Sequence, residues 1–96
     1  MQRHAGEAAA LLRSLANEQR LMVLCRLVGG ELPVGQLLEG TALSQSALSQ
    51  HLAVLREAGL VSTRRQGQQV FYSLADGPAL RVMETLHDIY CGANSP

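Results

Sequence analysis

The sequence predicts a mainly α-helical fold completed by one small β-hairpin. Three observations carry that prediction. Leucine, valine and alanine recur at helical spacing through most of the 96 residues. One stretch from Val61 changes to β-branched and aromatic residues around a glycine, and aromatics elsewhere are scarce, which disfavours a sandwich of strands. A chain of this length makes one domain, taken here as 1–96, but it buries only a modest core, so a partner subunit is expected.

Each element has its own warrant. Leu11, Leu12 and Leu15, with Ala8 on the same stripe, predict a short first helix. Asn17 has the character of an N-cap for a second helix, "EQRLMVLCRLV", in which Leu21, Leu24, Cys25 and Val28 fall at i, i+3, i+4 and i+7; Gly29-Gly30 ends it. After Pro33, "VGQLLEGTA" holds a third helix of at most about two turns, closed by Gly40. Ser44 then caps a fourth helix that buries Leu48, Leu52 and Leu55 and stops at Gly59.

Two helices joined by a short turn, the second opening on small polar residues, make a helix-turn-helix candidate. The runs "VSTRRQ" and "QVFYSL" follow, with Gln66-Gly67-Gln68 supplying the glycine of a tight hairpin. Asp76-Gly77-Pro78 breaks the strand, and a last helix is expected through Tyr90. It is apolar on two stripes, which predicts two partners: its own core and a second subunit, with first and last helices forming the dimer contact.

The outward side of the fourth helix is unusual. A solvated face would favour Glu, Lys or Arg, which form helix better than Ser, yet this one carries Gln45, Ser46, Ser49 and Gln50. Short amide and hydroxyl side chains suit a groove: Gln pairs bidentately with adenine, and Ser with either kind of base. His51 flanks them, either touching a base or phosphate or simply closing the helix edge.

Charge alone does not announce nucleic acid, because eight arginines balance eight acids and lysine is absent. The distribution is uneven, however. From Gly40 to Ala75, Arg56, Arg64 and Arg65 face only Glu57, whereas the segment after it is net acidic. A polyanion would therefore meet the middle segment first. Arg56, Arg64 and Arg65 are candidate phosphate or minor-groove contacts, with Gln68 and Gln69 at the hairpin tip; a solvated surface is the competing reading for each arginine. No apolar run reaches membrane-spanning length and no cleavage-type leader is evident, so a cytoplasmic protein without membrane contact is expected.

Helix-turn-helix plus hairpin is the winged-helix arrangement. The stretch "LSQSALSQHLAVLREAGLVSTRRQGQQVFYSL", together with "LANEQRLMVL" in the second helix, resembles the ArsR family of bacterial repressors over nearly the whole chain. The resemblance implies a homodimer that binds double-stranded operator DNA and releases it when a small effector is sensed. It implies no enzymatic role and no cofactor.

The effector turns on Cys25 and Cys91. Arsenic-sensing members carry Cys-x-Cys where this chain reads Glu31-Leu32-Pro33-Val34-Gly35, and the Asp-x-His pattern of zinc-sensing members is missing, since Thr85 stands two residues before His87. No metal site is therefore assigned. "LCRLVGGEL" and "LHDIYCGA" are instead similar to the BigR, SqrR and HlyU branch, which implies that the two thiols sense reactive sulfur species or oxidants and weaken DNA binding once bridged. Two alternatives stay open: a metal- or haem-responsive repressor, and Cys25 as plain core packing on its apolar stripe. An enzyme with a Cys nucleophile and His51 or His87 ranks last, lacking an acidic orienter and enough chain for a cleft.

Overall fold

The computed structural model describes residues 2–92, with the side chains of Cys91 and Gly92 excepted. A 3-10 turn, Gln2–His4, leads into α1 (Ala5–Leu15), followed by α2 (Glu18–Leu27), β1 (Leu32–Pro33), α3 (Val34–Glu39), α4 (Gln45–Glu57), β2 (Val61–Gln66), β3 (Gln69–Leu74) and α5 (Pro78–His87). A π-helical turn, Asp88–Gly92, follows α5. The mainly helical class with a small hairpin is as expected.

Local chemistry sets the ends of the helices. Asn17 caps α2, its side-chain oxygen accepting from the Arg20 amide at 3.1 Å, and Ser44 caps α4 by accepting from the Ala47 amide at 3.1 Å. The other end of α4 closes in a Schellman motif: the Gly59 amide donates to the Arg56 carbonyl and the Leu60 amide to that of Leu55, with Gly59 at a φ of +74°. Leu60, just past that turn, is buried against the core. Both ends of α4 are thus fixed by hydrogen bonds that the sequence encodes locally.

The hairpin is tight. Gln66 pairs with Gln69, leaving Gly67-Gln68 as a two-residue turn in which only Gly67 has positive φ, as a type II′ turn requires. β3 lies between β2 and β1, antiparallel to both, with Leu32 opposite Tyr72 and Pro33 opposite Phe71. The strand β1 is absent from the sequence-based expectation. Two residues, one of them proline, give no period; only the long-range partner makes them a strand, and proline is tolerated there because β1 is an edge.

The core joins all five helices and the start of β2. Val23, Leu24, Leu27, Leu37, Leu48, Leu52, Leu55 and Met83 are buried, together with Leu15 and Ala79. On α4 the expected stripe holds completely. On α2 it is broader than expected: Val23 and Leu27 join Leu24 at full burial, whereas Leu21, Cys25 and Val28 are half-buried against it. The reason is that α2 packs against α4 and β3 as well as α5, so more than one side is covered. The last helix is α-helical as far as His87 and runs on through the expected end at Tyr90 as the π-helical turn, with Ile89 and Tyr90 exposed.

Two arginines of α2 tie its neighbours to it. Arg20 Nε donates to the Ser14 carbonyl at the end of α1, at 2.7 Å, and Arg26 Nη1 donates to the Gln36 carbonyl at the end of α3, at 2.7 Å. Arg20 meets a carbonyl in the last turn of α1, and Arg26 adds a second donor to the Gln36 carbonyl, which already accepts from the Gly40 amide at 3.2 Å.

Stability should rank accordingly. Leu55→Ala removes a fully buried side chain and is expected to cost ~2–5 kcal/mol, whereas Ser44→Ala removes one cap and costs ~1 kcal/mol; urea unfolding of both variants checks the ratio.

Candidate functional site

Because Leu48, Leu52 and Leu55 occupy one side of α4, the residues between them are forced outward. Gln45, Ser46, Ser49 and Gln50 are all exposed, as expected, and His51 is half-buried at the flank. The repeated "LSQ" does not place its serines alike: Ser44 is spent on the cap, while Ser49 projects from the exposed face.

Arg56 lies exposed in the last turn of α4. A groove of about 550 Å³ runs between α4 and β3, and Ser49, Arg56 and Tyr72 all line it. A second groove is lined by Gln68 and Gln69 of the hairpin together with Gln36 and Glu39 of α3. Val34 borders both, so the grooves adjoin. The fourth helix and the hairpin therefore share one concave surface, although the hairpin tip neighbours α3 rather than α4.

The three candidate arginines differ in their commitments. Arg64 forms a two-pronged pair with Glu31, Nε to Oε2 at 2.9 Å and Nη2 to Oε1 at 2.7 Å, and its Nη1 donates to Gln66 at 2.8 Å. Its guanidinium also lies over the Phe71 ring, 4.6 Å from the centroid. Arg64 is thus occupied in holding the hairpin against the residue that precedes β1. Among the described residues neither Arg56 nor Arg65 has an ion-pair partner, which leaves those two cations available to a polyanion. Glu31 and Phe71 are missed by sequence reasoning: Glu31 stands 33 residues from Arg64, and nothing in either local pattern signals the pair.

The hydrogen bonds from Arg64 hold the Glu31 carboxyl below the usual carboxylate range and raise the Arg64 guanidinium in return. Both groups face solvent, so the pair orients the hairpin more than it stabilises the fold.

Cys25 sits half-buried on α2, beside an apolar recess of about 250 Å³ bounded by Leu21 and Met22 of α2, Met83 and Leu86 of α5, and Tyr90. Besides the thiol, Glu18, His87 and the Tyr90 phenol are the ionisable groups among the described residues that line it. Cys91 falls within the turn Asp88–Gly92 that follows α5, and α5 itself packs against α2, the helix that carries Cys25. The Cys91 side chain lies outside the described residues. Among the described residues, no group of three or more His, Cys, Asp or Glu side chains is placed to hold a metal ion, and no helix is long and apolar enough to cross a membrane.

The Glu31–Arg64 pair generates a pH test. A carboxyl whose folded pKa is depressed contributes stability above its ordinary range and loses it as pH falls through the folded value. The unfolding midpoint of Glu31→Gln should lie below that of the wild type at neutral pH, and the gap should close in strong acid; thermal melts at the two pH values check it.

The comparisons with known proteins agree with this geometry. Residues 17–63, from the cap of α2 into the start of β2, match the family described as "Bacterial regulatory protein, arsR family". The transcriptional activator HlyU of Vibrio cholerae is 50% identical over 94 residues, covering 98% of this chain and 87% of that protein. The biofilm growth-associated repressor of Agrobacterium fabrum is 48% identical over 91 residues, covering 95% of this chain and 78% of its own. Among solved structures, reduced HlyU from Vibrio cholerae superposes with a TM-score of 0.90 at 49% identity, covering 95% of this chain and 96% of that one. The repressor BigR from Xylella fastidiosa gives 0.90 at 42% identity, covering 100% and 95%. Winged helix, helix-turn-helix face and near full-length likeness converge: this chain belongs to the arsR family of bacterial regulatory proteins, and its role is the regulation of transcription, not enzymatic catalysis.

Proposed function

We propose that this chain is a homodimeric, cytoplasmic repressor that binds operator DNA through α4 and the hairpin and lets go when Cys25 and Cys91 are bridged by reactive sulfur or an oxidant. The observation that carries the DNA-binding half is the uncharged reading face of α4, held outward by a fully buried leucine stripe on its opposite side. In the major groove, Gln45, Ser46, Ser49 and Gln50 read base edges with His51 beside them. Arg56 and Arg65 meet phosphates, Gln68 and Gln69 follow the adjoining backbone, and Arg64 acts mainly by fixing the hairpin's direction.

Dimerisation is supported by what the single chain leaves uncovered. Leu12 of α1 is 58% exposed, Met22 of α2 46%, and Ile89 and Tyr90 beyond α5 56% and 76%. Met22 and Tyr90 border the same recess, so these side chains include one contiguous apolar area suited to a second copy. Two-fold symmetry then spaces two reading helices by about 34 Å, one turn of the duplex.

The sensing half rests on chemistry and on likeness to relatives described as HlyU and as a biofilm growth-associated repressor, one of which is described in a reduced form. One thiolate attacks the central sulfur of an organic trisulfide, RSSSR, and expels one RS⁻. The second thiolate then attacks the transferred sulfur and expels the other, leaving Cys–S–S–S–Cys and two RSH once the two thiol protons are counted. The cytoplasm suits a bond that is later reduced. A relative described as an activator and another described as a repressor show that members of one family carry either description; the repressor assignment here follows the sequence reading. A metal- or haem-responsive switch is the second reading, and it would need ligands beyond those that cluster among the described residues.

Two experiments test these halves separately. In operator-binding titrations, Arg65→Ala should weaken all sequences alike and lower the salt slope by about one, whereas Gln50→Ala should change sequence preference; if neither variant alters binding, the assigned surface is wrong. Intact mass after treatment with an organic trisulfide should show one retained sulfur and an intramolecular link in the wild type, absent in Cys25→Ser and Cys91→Ser. An unchanged wild-type mass would refute thiol sensing.

A further inference from the structure

Arg26 follows Cys25 on α2, yet its side chain reaches across to the far end of α3. Its Nη1 donates to the Gln36 carbonyl at 2.7 Å and lies 3.5 Å from that of Leu37. These carbonyls belong to the last turn of a six-residue helix. That of Gln36 also accepts from the Gly40 amide at 3.2 Å, so the guanidinium is its second donor, and a cation there meets the negative end of the helix dipole. Gly40, the residue that closes α3, supplies the room. A Cβ at that position would overlap the Arg26 guanidinium. Its φ of −83° is open to any residue, so space rather than backbone conformation accounts for glycine here.

The turn that follows is short and internally bonded. The Thr41 hydroxyl donates to the Leu38 carbonyl and accepts from the Leu43 amide, and Ser44 then caps α4. Displacing the end of α3 therefore displaces the start of α4, where Gln45 and Ser46 stand. We propose that Arg26 is a positioning residue for DNA recognition: by clamping the Gln36 and Leu37 carbonyls in the notch left by Gly40, it fixes the helix-turn-helix unit on α2 and so sets the angle at which the reading face meets the groove. This rests on the DNA-binding reading above. Arg26 itself is turned inward onto α3 and contributes no phosphate contact.

Two variants remove the clamp by different chemistry: Arg26→Ala deletes the guanidinium, and Gly40→Ala evicts it with a methyl group. Each should lower operator affinity roughly tenfold, the equivalent of one lost charge-assisted hydrogen bond, with an unchanged salt slope. Amide exchange should quicken over residues 34–44 and stay unchanged in α5. The double variant should bind no more weakly than Arg26→Ala alone, since the methyl group acts only through the guanidinium. A salt slope reduced by about one in Arg26→Ala, as for a lost phosphate contact, would overturn the proposal. So would additive losses in the double variant, or unchanged exchange over 34–44. A wild type that binds no operator would defeat the DNA-binding reading instead, and the exchange measurement would still decide whether the clamp holds α3.

Discussion

The packing of Leu48, Leu52 and Leu55 against the core is the constraint on which the rest depends. Three leucines at steps of four and three residues occupy one stripe of α4, and all three are buried. Burying each is worth ~1.5–3 kcal/mol, so rotating the helix about its axis to present another face would forfeit most of that together. The outward direction of Gln45, Ser46, Ser49 and Gln50 is a consequence of this packing. Function at that face is inherited from hydrophobic burial on the opposite one.

Zero net charge takes on meaning beside this. With no lysine and eight arginines, the chain spends guanidinium forks on its own structure: Arg20 bonds the end of α1, Arg26 the end of α3, and Arg64 joins the hairpin to Glu31 at the surface. Arginine suits such work because its planar donors engage carbonyls and carboxylates at fixed angles. Of the arginines in α4 and the hairpin, Arg56 and Arg65 are left for a polyanion, so phosphate attraction is a modest share of any affinity, and the hydrogen-bonding face carries a correspondingly larger share of discrimination.

What was legible in the sequence divides by range. The caps at Asn17 and Ser44, the stop at Gly59, the α4 stripe and the glycine of the hairpin are local signals, and each appears where expected. On α2 the stripe was read too narrowly, since Leu21 and Cys25 look as buried as Val23 until β3 and α5 are placed on two sides of the helix. β1 exists only by pairing with residues near 71 and 72. Nothing local singles out Arg26, and Arg64 reads as a phosphate contact or a solvated charge, because their partners lie 10 and 33 residues away. The exposed α4 residues were recovered because orientation follows from period alone; the commitments of the arginines were not, because contact does not.

The most direct test of the central claim is a map of amide shift changes on titrating an operator duplex into isotope-labelled protein. The account predicts that the largest changes fall on Gln45, Ser46, Ser49 and Gln50 and on the hairpin tip at Gln68 and Gln69. Changes concentrated on Leu12, Met22, Ile89 and Tyr90, with the exposed face of α4 silent, would contradict it.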